Sequence, residues 1–368
     1  MNKDVVVRRY VEGEEEDVVR LLESGFVGWP KFDLQCSSLD HWRWKYLDNP
    51  LRISSVIVGL VDGNIVGCSH GLFSKVRVGG KTLLTQQGVD VAVQSDFRGM
   101  GIMREMIALK EKHQRELKTN LSYTLSSHPS VYRLDLERGL PQFPKPLRHY
   151  VKIRDLDLHL KTTNSENNQI IKYGYKTLRA TKQIEKFLKQ SPRGSKSSFE
   201  VQQIDRFSDE VGELWSQARS SYGFIVERDQ GYLNWRYCDS RGGDYLVRQA
   251  TEDGRILGFI VLRVNRLNRE YPQGYIVDLL TLPNRFDVCD ALIEGATDYF
   301  DGQGVNFVTA FAIRGHPFEG LFEKNGFLWD RVKYYLFCTP KNIGGEWEAF
   351  ISTPSNRLHF MYGDLDWI

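Results

Sequence analysis

The sequence predicts an α/β fold of the α+β kind: two similar domains in tandem, each a mixed, mostly antiparallel sheet flanked by helices. Three observations lead there. Alternating β-prone runs are joined by glycine turns at Asp62-Gly63-Asn64 and Gly79-Gly80, as hairpins require. Amphipathic helical runs punctuate these strands. The landmarks of the first half then return, in the same order, in the second.

Taken in order, residues 4–9 read as a strand. Residues 13–24 read as a helix with Val18, Val19, Leu21 and Leu22 behind an acidic first turn, which suits the positive end of the helix dipole. After the aromatic segment Asp40–Pro50 come two strands, 53–61 and 65–73, and a second hairpin over 76–84. The stretch Gly88–Ile107 reads as a strand, the turn Arg98-Gly99-Met100-Gly101 and the start of a helix that runs to about Leu117. A strand over 121–125 and a short helix ending at Gly139 follow; Pro141, Pro144 and Pro146 then enforce a loop before a strand at 148–153. Polar and Pro/Gly/Ser-rich composition marks a linker that contains a basic helical run, Lys176–Lys189. The expected boundaries are therefore a first domain at 1–154, a linker at 155–198 and a second domain at 199–368.

The repeat is the strongest signal. Trp44-Lys45-Tyr46 returns as Trp235-Arg236-Tyr237, and Asp62-Gly63-Asn64-Ile65-Val66-Gly67 as Asp253-Gly254-Arg255-Ile256-Leu257-Gly258, both 191 positions later. Asp90 returns as Asp278 and His128-Pro129 as His316-Pro317, both 188 positions later, and Gly139-Leu140 as Gly326-Phe327. The copies differ at the turn. A helix start offers unpaired backbone N–H groups, and glycines let a phosphate reach them, so Arg98–Gly101 suits a pyrophosphate. The second copy has Phe286, Asp287 and Cys289 in those places, which would block and repel an anion.

Composition narrows the function classes. A chain of 368 residues with 41% hydrophobic content is that of a folded protein of about two domains. A net charge of +2 argues against a dedicated nucleic-acid binder. Five scattered cysteines without a C-x-x-C pair suggest reduced thiols, and eight histidines without an H-x-x-x-H motif offer no metal site. Without an apolar leader or a long apolar run, the expectation is a cytoplasmic protein with no membrane partner. Oligomeric state stays open.

On these residues the first half resembles the GCN5-related N-acetyltransferase (GNAT) family, and the whole chain looks like a tandem member. The family's Gln/Arg-x-x-Gly-x-Gly/Ala turn corresponds to Arg98, Gly99, Met100, Gly101, Ile102 and Met103; Met103 departs from the family's preference for Gly or Ala. The resemblance implies that this turn holds the pyrophosphate of an acyl-CoA, acetyl-CoA being expected, and that Val91, Ala92 and Val93 lend backbone groups to the pantetheine arm. Many members carry a tyrosine acid four residues before the Gly of a later Gly-Phe pattern. That position holds Asp135 here and Phe322 in the second copy, so Asp135 and, one helical turn earlier, Tyr132 are the candidate acids. Asp90 is a candidate base, or a structural residue shared with Asp278. Ser126 could bond the cofactor or cap a helix, and His128 and His316 are placed for capping or catalysis. Trp44, Tyr46, Trp235 and Tyr237 could line an acceptor site or pack in the core. The tail Tyr362–Ile368 is aromatic and acidic enough to dock back, with Asp364, Asp366 or the terminal carboxylate as possible site groups. The resulting expectation is an acyl-CoA-dependent N-acyltransferase acting by direct transfer on a small-molecule or peptide amine. The alternatives are a non-catalytic acyl-CoA-binding scaffold and a Fem-like aminoacyl transferase.

Overall fold

A computed structural model describes residues 4–26, 28–126, 133, 136–137, 139–163, 198–341 and 343–366, with the side chains of 126, 333 and 335 excluded. The first half builds β1 (Val5–Arg9), β2 (Ser55–Val61), β3 (Asn64–Val78), β4 (Lys81–Val93) and β5 (Leu121–Ser126), which pair in that order. All of these pairs are antiparallel except β4–β5. The second half repeats the plan with β7 (Glu200–Ile204), β9 (Leu246–Glu252), β10 (Arg255–Asn265), β11 (Gln273–Thr281) and β12 (Phe307–Ile313), where β11–β12 is the parallel pair. A short strand, β8 (Phe224–Val226), pairs with β3 across the halves.

The last strand of each half crosses over. β6 (Leu147–Ile153), which precedes the expected boundary at 154, lies between β12 and the long final strand β13 (Leu328–Pro340). β13 in turn pairs with β5 of the first half. The two sheets are thereby joined through β13, so neither half completes its hydrogen-bonded ladder with its own chain alone.

Both faces of the first sheet are covered. Helices α1 (Glu15–Gly25) and α2 (Ser38–Tyr46) bury Val18, Leu22, Trp42 and Tyr46 against Val58, Val89 and Ala92. Ser37 caps α2 by accepting from the Asp40 amide at 3.1 Å. On the other face α3 (Ile102–Glu116) buries Ile102 and Met106, one turn apart, against Ile57, Val61 and Val66. The strands approach α3 closely because they carry glycine there: a Cβ on Gly59 would lie 2.5 Å from Ile102 Cγ2. This contact fixes where α3 begins.

Trp44 and Trp235, one from each half, meet at the seam. Their rings stack at 4.9 Å, Trp44 Nε1 donates to the Trp235 carbonyl at 3.0 Å, and Trp235 Nε1 donates to the Trp44 carbonyl at 3.2 Å. Equivalent residues touch themselves in this way across a self-complementary interface. Of the two readings of these aromatics, the stacked pair occupies the packed seam. The tail docks as its composition suggests, with Leu358 through Leu365 buried. The basic run 176–189 lies outside the described residues.

Candidate functional site

A groove of about 1140 Å³ lies where β4 ends and α3 begins, walled by the end of α1. Val91, Ala92, Val93, Arg98, Gly99, Gly101, Ile102 and Met103 all line it, so the structure brings together every expected cofactor residue except Met100 and Ser126. Met100 stands exposed on the same turn, and Ser126 ends β5 opposite Tyr335.

The chemistry of the turn follows from its backbone. Gly99 and Gly101 take φ of 84° and 83°, a left-handed conformation that costs glycine nothing. Gly101 caps α3 and accepts the helix's first backbone bond, from the Glu105 amide at 3.1 Å. The amides of Ile102, Met103 and Arg104 therefore have no partner within the helix and point from its positive end. The Arg98 guanidinium, anchored by a 3.3 Å bond from Nε to the Val93 carbonyl, stands exposed beside them. Arg104 reaches back over Gly101, 3.9 Å from the point a Cβ would occupy. Such an arrangement can hold two adjacent phosphates. Met103 is 46% exposed in the groove, so its bulk narrows the approach without closing it.

The adjoining strands open a path into the protein. β4 and β5 pair only through Thr85–Leu121, Gln86–Ser122 and Gln87–Tyr123, and then part. Beyond that point β4 bulges, with Asp90 and Val91 facing Ser69 and Asp90 at φ 45°. Among the described residues, no strand pairs with Val91–Val93 on the β5 side.

In the second half the equivalent turn carries its own anion. Asp287 accepts from Arg285 Nε at 3.0 Å and Nη2 at 2.8 Å, and this bond holds its carboxyl below the usual range. The helix Phe286–Gly302 therefore starts with its positive end already answered.

Asp90 is not placed as a base. Its carboxylate accepts from Trp29 Nε1 at 2.9 Å, from Lys45 Nζ at 2.8 Å and from the Tyr46 hydroxyl. Burial is the largest influence and raises its pKa, but the Lys45 charge together with the hydrogen bonds from Lys45 and Tyr46 and the nearby His70 more than offsets it and leaves it at about 2. An anion held so firmly accepts protons poorly, and the catalytic expectation gives way to a structural one. His70 completes this cluster. Its Nε2 accepts from Trp42 Nε1 at 3.0 Å, so its Nδ1–H donates to the Asp90 carbonyl at 2.9 Å, and burial keeps it neutral with a pKa of about 4. Asp278 has the same surroundings in the second half. It accepts from Arg228 Nη2 at 3.0 Å and from the Tyr237 hydroxyl at 2.9 Å, and Arg228 also clamps Asp364 at 2.9 Å.

His316 caps the helix Phe318–Lys324, accepting the Phe318 amide at 3.2 Å, and burial lowers its pKa to about 4. The candidate acids Tyr132 and Asp135, and His128, lie outside the described residues. Lys45, quoted in the sequence only as part of a repeat, proves to be the cation that joins Asp90 to the tail through Asp366 at 3.3 Å.

Residues 6–134 match the family model described as an acetyltransferase (GNAT) domain. The first half carries a GNAT domain. Solved structures share the fold over both halves. A conserved Enterococcus faecalis protein described as a probable N-acyltransferase aligns with a TM-score of 0.62 at 13% identity, over 92% of this chain and 73% of its own. The Saccharomyces cerevisiae N-myristoyltransferase with bound myristoyl-CoA aligns with a TM-score of 0.58 at 13% identity, over 91% and 82%. A GCN5-related N-acetyltransferase from Anabaena variabilis aligns with a TM-score of 0.59 at 13% identity, over 90% and 72%. No curated protein sequence matches significantly. Around the GNAT domain, no described helix is long and apolar enough to cross a membrane. No group of three metal-ligating side chains occurs among the described residues.

Proposed function

We propose that the protein is an acyl-CoA-dependent N-acyltransferase that passes a short acyl group, acetyl first among the candidates, directly to an amine. One observation carries the reading: a GNAT turn with free helix amides and two arginines opens into the same groove as the unpaired edge of β4. Acyl-CoA would supply an activated acyl carbon. Arg98, Arg104 and the amides of Ile102–Arg104 would hold its phosphates, and Val91–Val93 its amide-bearing arm. The amine then attacks the carbonyl carbon, the C–S bond breaks, and the thiolate takes up a proton. No cysteine is poised to carry the acyl group: Cys68, Cys289 and Cys338 are buried, Cys36 and Cys238 are half-buried, none lines the groove, and burial raises the thiol pKa of all five.

The immobilised Asp90 favours one second reading, an acyl-CoA-binding protein without turnover. Calorimetric titration with acetyl-CoA and myristoyl-CoA, followed by thiol release with a panel of amines, separates the two. The transferase reading expects one site per chain and amine-dependent thiol release. Gly101→Glu, which strains the turn and adds a negative charge beside the phosphates, should weaken binding at least a hundredfold, about 3 kcal/mol. Unchanged affinity in that variant defeats the assignment of the turn, and binding without release for any amine favours the second reading.

A further inference from the structure

The two halves hold the loops between their first two helices in different ways. In the second half that loop, between the helices Val211–Ala218 and Gln230–Tyr237, forms β8 and pairs through its backbone with Val76–Val78 of β3. In the first half the matching loop, residues 28–37 between α1 and α2, forms no strand. Two side chains of β10 reach it from the second half instead. Arg263 Nη2 donates to the Asp33 carbonyl at 2.7 Å, and Asn265 Nδ2 donates to the Lys31 carbonyl at 3.2 Å.

Arg263 occupies a seat shaped for a guanidinium. Its Cζ lies 4.1 Å from the centre of the Phe32 ring, and its Nη1 donates to the Tyr245 hydroxyl at 3.2 Å. Gly243 leaves the room, since a Cβ there would fall 2.4 Å from Nη1. The side chain is 1% exposed, yet its ion pair is loose: Asp33 Oδ1 stands 3.9 Å from Nη2. Asp33 Oδ1 and Arg263 Nε are both buried without a hydrogen-bond partner. A buried cation paired so loosely is a poor source of stability. The fold does not require it either. Arg263 faces Tyr275 of β11 as Leu72 faces the β4 residue Gln87, so the first half fills the equivalent place with leucine.

What the two side chains hold is the continuation of a groove wall. Residues 28–37 follow α1, whose end, Gly25 and Phe26, lines the groove. A Cβ on Gly25 would lie 3.3 Å from Ala92 Cβ, so the end of α1 rests directly on the β4 edge. Trp29 ties the loop to Asp90, next to Val91, at 2.9 Å. Arg263 itself does not line the groove.

We infer that Arg263, assisted by Asn265, is a positioning residue for the groove of the other half: it holds residues 28–37, and through them the end of α1, against the β4 edge. The inference rests on the acyl-CoA reading of that groove. The second half thus braces the cofactor site of the first without touching the cofactor.

The test combines hydrogen exchange, read by mass spectrometry on the full chain, with titration of acetyl-CoA. Arg263→Met keeps the length of the side chain and removes its charge and donors. Peptides within 28–37 should then exchange about tenfold faster or more, the factor for one lost bond to a charged group. Peptides from α3 should exchange as in the wild type, which a general loosening of the fold would not allow. Because loop order and ligand binding are linked, acetyl-CoA should slow exchange of 28–37 in the wild type and bind Arg263→Met about fivefold more weakly or worse. Arg263→Lys, which keeps the cation and a donor for the Asp33 carbonyl, should recover part of both effects. Should Arg263→Met fail to fold, Asn265→Ala decides, with about threefold faster exchange of 28–37 for the loss of a neutral bond. Exchange of 28–37 that is unchanged in a folded variant, or acetyl-CoA affinity of folded Arg263→Met within twofold of the wild type, overturns the inference. A wild-type chain that binds no acetyl-CoA overturns the proposed function, and this inference with it, before any variant is compared.

Discussion

Replacing Asp90 with asparagine separates a structural anion from a base. The substitution keeps the shape and removes the charge that Lys45, Trp29 and Tyr46 converge on. Breaking a buried ion pair by removing one member costs about 3–5 kcal/mol, because the other charge stays buried; here Asp366 at 3.3 Å offsets part of the loss. The pKa shift gives an independent figure. The carboxyl falls from 3.8 to about 2 on folding, which corresponds to roughly 2 kcal/mol. The sign follows from the lowered value: this stability is fully present above pH 3.8 and is lost as the pH falls through about 2. Urea unfolding followed by fluorescence and by circular dichroism, two probes because the chain has two halves, should show Asp90→Asn destabilised by about 2–5 kcal/mol at pH 7. The gap to wild type should shrink between pH 4 and pH 2. A variant as stable as wild type that has lost amine-dependent thiol release would refute this reasoning and restore Asp90 as a base.

Two further substitutions probe the seam. A Cβ on Gly363 would fall 1.9 Å from the Tyr237 hydroxyl, so Gly363→Ala should displace the docked tail and cost about 1–3 kcal/mol, seen as a lower thermal midpoint. An unchanged midpoint would mean that the tail's packing is loose. Trp44→Ala removes a 2% exposed side chain and the donor to the Trp235 carbonyl, and should cost about 3–5 kcal/mol. Its unfolding should lose coincidence between probes as the halves uncouple, and a single coincident transition with wild-type stability would contradict the role given to the Trp pair.

The glycine turn was legible in the sequence because its conformation is local. Glycines at 99 and 101 before an amphipathic helix specify a left-handed turn and free amides whatever the rest of the chain does. The absence of those glycines from the second copy was legible for the same reason, although the Arg285–Asp287 pair at its helix start needed coordinates. Asp90 was ambiguous, since its neighbours come from residues 29, 45 and 46, and only their convergence shows a carboxylate with its acceptor positions taken. The only signal that could have found Lys45 was its place between the repeated aromatics, and nothing local marks Arg263.

By itself the sequence determined a recurring α/β pattern, the GNAT resemblance and a glycine turn kept in the first half alone, all of which are written in short stretches and in their recurrence. Only the tertiary structure decided that β6 and β13 cross between the halves, that Trp44 and Trp235 stack across the seam, and that Asp366 comes to rest beside Gln87. The physical reason is that strand pairing and ion pairing depend on spatial neighbours. A repeat shows which residues correspond, but not which copy's edge a strand will complete.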